Sequence, residues 1–349
     1  MLRISTVKKL LNTLYITSPD IFVSLDGETI VLKKEAQVET RIPLHNIENI
    51  VCFNYVGVSP ALMQACVEKN IGLCFLTPFG KFQSRIIGPV HGNVLLRKKQ
   101  YNISENVNEV LNYSKAFLIG KIGNSRKVLE RAVRDHEMVI NVKRIREASA
   151  FLKEVLRMIP DCTSSADLFA FEGSAAKVYF GVFDELILHQ KDDFSFHERS
   201  RRPPLDNMNA LLSFLYTLLA NEVASALETV GLDPYVGFLH QDRPSRISLA
   251  LDIMEELRPV LADRLVLSLV NRRQINGKGF IKKESSGVIM DDETRKMVLQ
   301  GWQEKKQEKI THPFLKETIS YGLLPYIQAM LLAKSIRGDI DGYPPFLWN

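Results

Sequence analysis

Residues 21–32, IFVSLDGETIVL, decide the fold class of the N-terminal part of this chain. Apolar residues alternate before Asp26-Gly27 and cluster after it, a pattern typical of two strands joined by a two-residue turn. We therefore predict a β-hairpin here. Further short apolar runs at 41–44, 50–53, 71–76 and 82–87, with one helix at about 59–69, predict a small β-rich domain over residues 1–90.

The spacing of apolar residues changes to three and four from about Val94 onward, which is typical of helices. Helices are predicted over 107–122, 128–136, 139–158, 167–182, 208–227, 249–261 and 316–336. Residues 279–290 interrupt this pattern and are predicted to form an inserted β-hairpin. The predicted architecture is α+β, with the β-rich domain at 1–90 followed by a larger, mostly helical domain at 91–349.

Composition narrows the function classes. The 349 residues carry a net charge of +5, which allows an anionic partner such as nucleic acid without requiring one. The four cysteines lack the C-x-x-C spacing of zinc sites, so we expect core thiols in a reducing compartment. We see neither a signal peptide nor an apolar run long enough to span a bilayer, and we expect a soluble cytosolic protein.

The first chemical pattern is an imidazole followed by carboxylates in apolar surroundings. His240 ends the run GFLH, and Asp252 and Glu255 lie inside the apolar segment 248–259. Buried carboxylates need a positive partner, and imidazole with carboxylates suits Mn²⁺, Mg²⁺ or Zn²⁺. The alternative is a solvated acidic flank in which one carboxylate pairs with Arg258.

The second pattern is Glu172, which is followed by the small residues GSAA at 173–176. Small neighbours let a ligand or another backbone approach, so Glu172 is a candidate metal ligand on a helix. The alternative is an exposed glutamate beside a helix–helix contact.

The third pattern is cationic. Arg199, Arg201 and Arg202 precede two prolines, and guanidinium groups bind phosphate oxygens in a bidentate manner. These arginines are candidate DNA-binding residues, although most charge runs are only solvated surfaces.

Four motifs in this order resemble the CRISPR-associated integrase, the endonuclease subunit of spacer acquisition. They are FEG at 171–173 with YF at 179–180, RRPP at 201–204 before NALLS at 209–213, GFLH at 237–240, and LDIME at 251–255 before RP at 258–259. The resemblance covers nearly the whole chain, and GYPPFLWN at 342–349 is similar to members from type I-C systems.

The resemblance implies roles for particular residues. Glu172, His240 and Glu255 would be the catalytic ligands of Mg²⁺ or Mn²⁺, with Asp252 as a further ligand or a support. Tyr179 would contact the DNA backbone or pack in the core. The implied reaction is insertion of foreign-DNA spacers into a CRISPR array, by attack of a DNA 3′-hydroxyl on a repeat phosphodiester.

The resemblance also implies partners. These are double-stranded DNA with 3′-OH ends, CRISPR repeat DNA, a second copy of the chain, and a small ferredoxin-like CRISPR-associated protein that bridges two dimers in the prokaryotic cytoplasm. The β-rich domain is the expected dimerisation element. Two alternatives stay open: a stand-alone metal-dependent DNA repair nuclease, and a non-catalytic DNA-binding scaffold.

Overall fold

The computed structural model describes residues 12–18, 20–35, 37–53, 57–77, 81–88, 94–283 and 287–348. The described residues of the N-terminal part form eight strands and one α-helix. They are β1 (Thr13–Ile16), β2 (Ile21–Asp26), β3 (Thr29–Lys34), β4 (Gln37–Pro43), β5 (Asn49–Phe53), β6 (Gly57–Val58), α1 (Pro60–Glu68), β7 (Gly72–Leu76) and β8 (Phe82–Ile86). One sheet has the order β4-β3-β2-β6 and the other has the order β1-β5-β7-β8.

The first hairpin forms where the sequence predicts it, with its turn one residue later. Asp26 pairs with Thr29, so the two loop residues are Gly27 and Glu28. Gly27 has φ of 58°, a left-handed conformation that glycine adopts without a Cβ clash. The requirement for positive φ therefore fixes Gly27 at the first loop position.

Strand β5 connects two hydrophobic cores. Its side chains alternate between the faces of the sheet, as in any strand. Ile50 and Cys52 pack into a core built from the N-terminal elements, whereas Val51 and Phe53 join the large core of the helical part. Because one strand serves both cores, the position of the β-rich part is fixed against the helices.

The helical part begins at α2 (Val94–Glu105). It continues with α3 (Val107–His136), α4 (Val142–Met158), α5 (Ser165–Gly181), α6 (Asn207–Thr229), α7 (Ser248–Arg258), α8 (Arg264–Asn271), α9 (Asp292–Gln307) and α10 (Leu324–Arg337). The antiparallel pairs β9 (Phe280–Lys282) with β10 (Val288–Met290) and β11 (Lys309–Thr311) with β12 (Thr318–Ser320) lie among these helices. The predicted α+β class is confirmed, and the cysteines in the described segments are free thiols, as predicted.

Three predictions about helices are wrong. The helix predicted over 316–336 begins only at Leu324, because Thr318–Ser320 pairs with β11 as strand β12. The predicted break between residues 122 and 128 does not occur, and α3 is continuous. Asn124 in this stretch is buried, because its side-chain amide donates to the carbonyls of Glu256 and Phe346. Helix α6 is long and apolar enough to cross a membrane, contrary to expectation, but 72% of its most apolar window is buried inside the protein. This burial is typical of a core helix.

Candidate active site

Three helices and one turn position the predicted site. Glu172 lies on α5, which begins where Ser164 accepts a hydrogen bond from the Asp167 N–H. Asp252 and Glu255 lie on α7, and His240 lies in the turn that precedes it. Helix α3 packs against both α5 and α7. The four predicted residues therefore come from two helices and one turn, which meet in the helical core.

His240 is oriented by Asp252. The Asp252 carboxylate is fully buried and accepts the backbone N–H groups of Phe238, Leu239 and His240 at 2.7, 3.0 and 2.9 Å. Its Oδ1 also lies 2.7 Å from His240 Nδ1. We assign the proton to Nδ1, because the carboxylate can only accept, and in the neutral imidazole this leaves the lone pair on Nε2. Asp252 thus holds the whole turn and the ring.

Glu255 is a buried carboxylate held by cations. Arg258 Nη1 donates to its Oε1 at 3.0 Å, and Nη2 lies 2.9 Å from its Oε2. His240 Nε2 lies 3.9 Å from Glu255 Oε1. Burial alone would raise the pKa of Glu255, but Arg258, Lys121 and His240 bring it to about 2. Glu255 is therefore ionised at neutral pH. The sequence left open which carboxylate pairs with Arg258, and the structure shows that it is Glu255.

Lys121 joins the two glutamates. This residue lies on α3, and its side chain is only 5% exposed. Its ammonium contacts Glu172 Oε1 and lies 2.8 Å from Glu255 Oε2. Within the described segments, no three Asp, Glu, His or Cys side chains lie close enough together to bind one metal ion as they stand. The Lys121 ammonium instead connects Glu172 with Glu255, and His240 lies beside Glu255, with its Nε2 3.9 Å from Glu255 Oε1.

Glu256 points away from this cluster, although it adjoins Glu255 in sequence. Its oxygens accept hydrogen bonds from Gln328 Nε2 at 2.9 Å, from the Tyr343 hydroxyl, and from the Phe346 N–H at 2.8 Å. Burial raises the pKa of Glu256 to about 7, in opposition to these donors. Glu256 thus fastens the C-terminal segment to α7.

Two of the predicted DNA-binding residues bind groups of the protein itself, and Arg199 is half-buried. Tyr179 is buried, and its hydroxyl donates to Asp263 at 3.0 Å. The Arg199 guanidinium donates to Asn209 at 2.6 Å and stacks on the Tyr216 ring at 5.2 Å. These contacts join Arg199 to α6 and Tyr179 to the helical segment Pro259–Asp263 that follows α7.

Arg201 and Arg202 are exposed, and they share an electrostatic neighbourhood with two arginines from the 241–247 loop. The pKa of Arg246 is lowered by its partial burial and by the charges of Arg243, Arg201 and Arg202. The Asp252 carboxylate opposes this effect. Sequence reasoning missed Arg243 and Arg246, although both follow His240 by only a few residues.

Sequence reasoning also missed Lys121. The available signal was one cation in an otherwise apolar and small-residue stretch, AFLIGKIG at 116–123. A lysine in such a stretch is buried only when it has anionic partners. Spacing along the chain does not identify those partners, which lie 51 and 134 residues away.

The chain is similar to known proteins in sequence and in fold. Residues 14–304 match the family described as CRISPR associated protein Cas1. CRISPR-associated endonuclease Cas1 1 of Chlorobaculum tepidum is 47% identical over 343 residues, which cover 98% of this chain and 100% of that protein. A solved CAS1 protein from Thermotoga maritima has a TM-score of 0.79 at 26% identity and covers 93% of this chain and 97% of its own.

A casposase bound to integration product shares the fold, with a TM-score of 0.83 at 21% identity over 97% of this chain and 94% of its own. By its sequence relatives and its α+β fold, the molecule is a protein of the CRISPR-associated endonuclease class. Within that class, the chain belongs to the Cas1 family. The family resemblance found in the sequence motifs is confirmed.

Proposed function

We propose that this chain is a metal-dependent DNA endonuclease and integrase that inserts short foreign-DNA spacers into a CRISPR array. A 3′-hydroxyl oxygen of a DNA end attacks a repeat phosphorus, and the bond from that phosphorus to the leaving oxygen of the repeat breaks. The supporting observation is that Glu172 and Glu255 meet at the Lys121 ammonium and His240 Nε2 lies 3.9 Å from Glu255 Oε1, in a family whose named relatives are endonucleases.

The donor set suits Mg²⁺ or Mn²⁺. It combines two carboxylates with an imidazole whose Nε2 remains free to coordinate. Glu255 Oε2 is buried and makes no hydrogen bond of good geometry, although two cationic groups lie within 3 Å of it. Glu172, Glu255 and His240 would hold the ion, which when bound polarises the scissile phosphate and stabilises charge on the leaving oxygen.

The other residues prepare these ligands and the substrate. Asp252 fixes the ring of His240, and Arg258 keeps Glu255 ionised and in place. Glu172, with 30% of its side chain exposed, lies nearest to solvent and therefore to an entering DNA strand. The exposed Arg201, Arg202 and Arg243 would neutralise backbone phosphates beside the His240 turn.

The proposal extends to an assembly. One site performs one strand transfer, whereas insertion of a spacer requires two. We therefore propose a homodimer, with two dimers bridged by the small ferredoxin-like partner, acting in the cytoplasm of a type I-C system. The same fold accommodates an integration product in the casposase, which supports strand transfer as the reaction.

The test is strand transfer into a plasmid that carries a CRISPR repeat, with 3′-OH double-stranded DNA, the bridging partner and Mn²⁺. Joined products are expected from the wild-type chain. Glu172→Ala, His240→Ala and Glu255→Ala should each abolish them, because each change removes one donor. The matched controls are Glu147→Ala and His136→Ala, since both residues are exposed on helices away from the site.

The outcome separates the alternatives. Degradation of DNA without joined products would favour a stand-alone repair nuclease. DNA processing that survives all three substitutions would favour a non-catalytic scaffold with a contaminating activity, and would refute the assigned site.

A further inference from the structure

Lys121 lies where a cation is best stabilised in this molecule. Its ammonium contacts Glu172 on α5 and Glu255 on α7, two carboxylates from separate helices. The side chain is almost completely buried, so this charge is screened very little by water. Arg258 contacts both carboxylate oxygens of Glu255. Lys121 is the cation that Glu255 shares with Glu172.

The Lys121 ammonium and a divalent ion would both bind the carboxylate oxygens of Glu172 and Glu255. Mg²⁺ requires oxygen ligands at about 2.0–2.1 Å, closer than any hydrogen-bond donor approaches. Two cations between the same pair of carboxylates would repel each other strongly in a buried site. The ion held by Glu172 and Glu255 and the bridging position of Lys121 therefore exclude each other.

We propose that Lys121 is a built-in competitor for the catalytic metal, which bridges Glu172 and Glu255 until a divalent ion displaces its ammonium. The inference rests on the function proposed above. It makes Lys121 a positioning residue with two effects. The ammonium stabilises the fold when the two acids have no other cation, and it weakens metal binding by the free energy needed to break its two contacts.

The experiment is a Mn²⁺ titration of the full chain without DNA, with free Mn²⁺ followed by electron paramagnetic resonance. Lys121→Met keeps the length of the side chain and removes its charge. We expect this variant to bind Mn²⁺ about 5- to 150-fold more tightly, the usual range for coupling between two binding events. It should also melt at a lower temperature without metal and gain more in melting temperature when Mn²⁺ is added.

Lys127→Met is the matched control, because Lys127 is exposed on the same helix. It removes the same charge, and we expect wild-type affinity. A general effect of net charge would instead tighten Mn²⁺ binding equally in both variants, and that result would overturn the proposal. Unchanged or weaker binding by Lys121→Met would also overturn it.

Two further measurements keep the outcomes distinct. If His240→Ala loses the Mn²⁺ binding of the wild type but Lys121→Met binds Mn²⁺ no more tightly than the wild type, the metal site is supported and the proposed role of Lys121 is refuted. If neither the wild type nor Lys121→Met binds Mn²⁺, the metal dependence proposed above and the competition both fall. Should Lys121→Met not fold, a crystal structure of the wild type with Mn²⁺ decides. Lys121 still bridging both glutamates beside the ion would refute displacement.

Discussion

Replacement of Asp252 by Asn should disrupt the turn that carries His240. The Asp252 carboxylate is fully buried and has four hydrogen-bond donors around its two oxygens, three backbone N–H groups and the His240 ring. Asn keeps one of those oxygens and replaces the other with an NH₂ group. Because each oxygen serves two donors, either orientation of the amide loses two hydrogen bonds and turns a donor toward buried donors.

The expected destabilisation follows from this count. A hydrogen bond to a charged group contributes about 1.5–3 kcal/mol, so the loss of two amounts to about 3–6 kcal/mol. The total stability of a folded domain is only about 5–15 kcal/mol, so this loss is readily measured. Guanidinium unfolding, with an unchanged dependence on denaturant, is the assay. The freed His240 ring should also lower strand transfer and Mn²⁺ affinity.

Asp242→Asn is the matched control in the same turn. Asp242 is exposed and accepts one hydrogen bond, from the Gly237 N–H at 3.1 Å. Its replacement should change stability by less than about 0.5 kcal/mol, as is usual for surface substitutions. If Asp252→Asn is equally mild and retains full activity, the turn does not depend on this carboxylate and the reasoning is refuted.

Two further predictions concern packing and thiol chemistry. Gly120→Ala would place a Cβ 2.6 Å from Glu256 Cβ and should cost about 1–3 kcal/mol in calorimetry through overpacking. Gly173→Ala meets no atom within 4 Å and should gain up to about 1 kcal/mol from helix propensity, so the reverse order would contradict the packing described. Burial raises the pKa of Cys52 and Cys74 to about 12 and of Cys66 to about 11, which keeps these thiols protonated at neutral pH. A thiol reagent at pH 8 should therefore label these cysteines in guanidinium but not in the native protein. Rapid labelling of the native protein would show that this part of the chain opens.

The types of most elements could be predicted because each has a local cause. The period of apolar residues distinguishes β2 and β3 from the helices, and Gly27 marks a turn that requires positive φ. The errors have causes that are not local. Asn124 resembles a helix breaker in sequence, yet its amide is satisfied by carbonyls of Glu256 and Phe346, which lie far along the chain.

The candidate site shows the same division. The sequence motifs named Glu172, His240, Asp252 and Glu255, and these residues do come from elements that meet in the core. Arg199 and Tyr179 were grouped with exposed cations and motif residues, but both side chains turn inward to Asn209 and Asp263. Direction of a side chain depends on the surrounding helices, which sequence spacing does not specify.

The sequence by itself determined which kinds of side chain this protein brings to its site: two glutamates, an aspartate, an imidazole and nearby arginines. Only the tertiary structure decided their partners. Glu255 and Glu256 adjoin in sequence, but successive helix positions are about 100° apart, so one faces Lys121 and the other faces the C-terminal segment. A charge in the core is stabilised by whatever lies within a few ångströms, and the buried Glu255 and the half-buried Glu172 share a lysine from another helix.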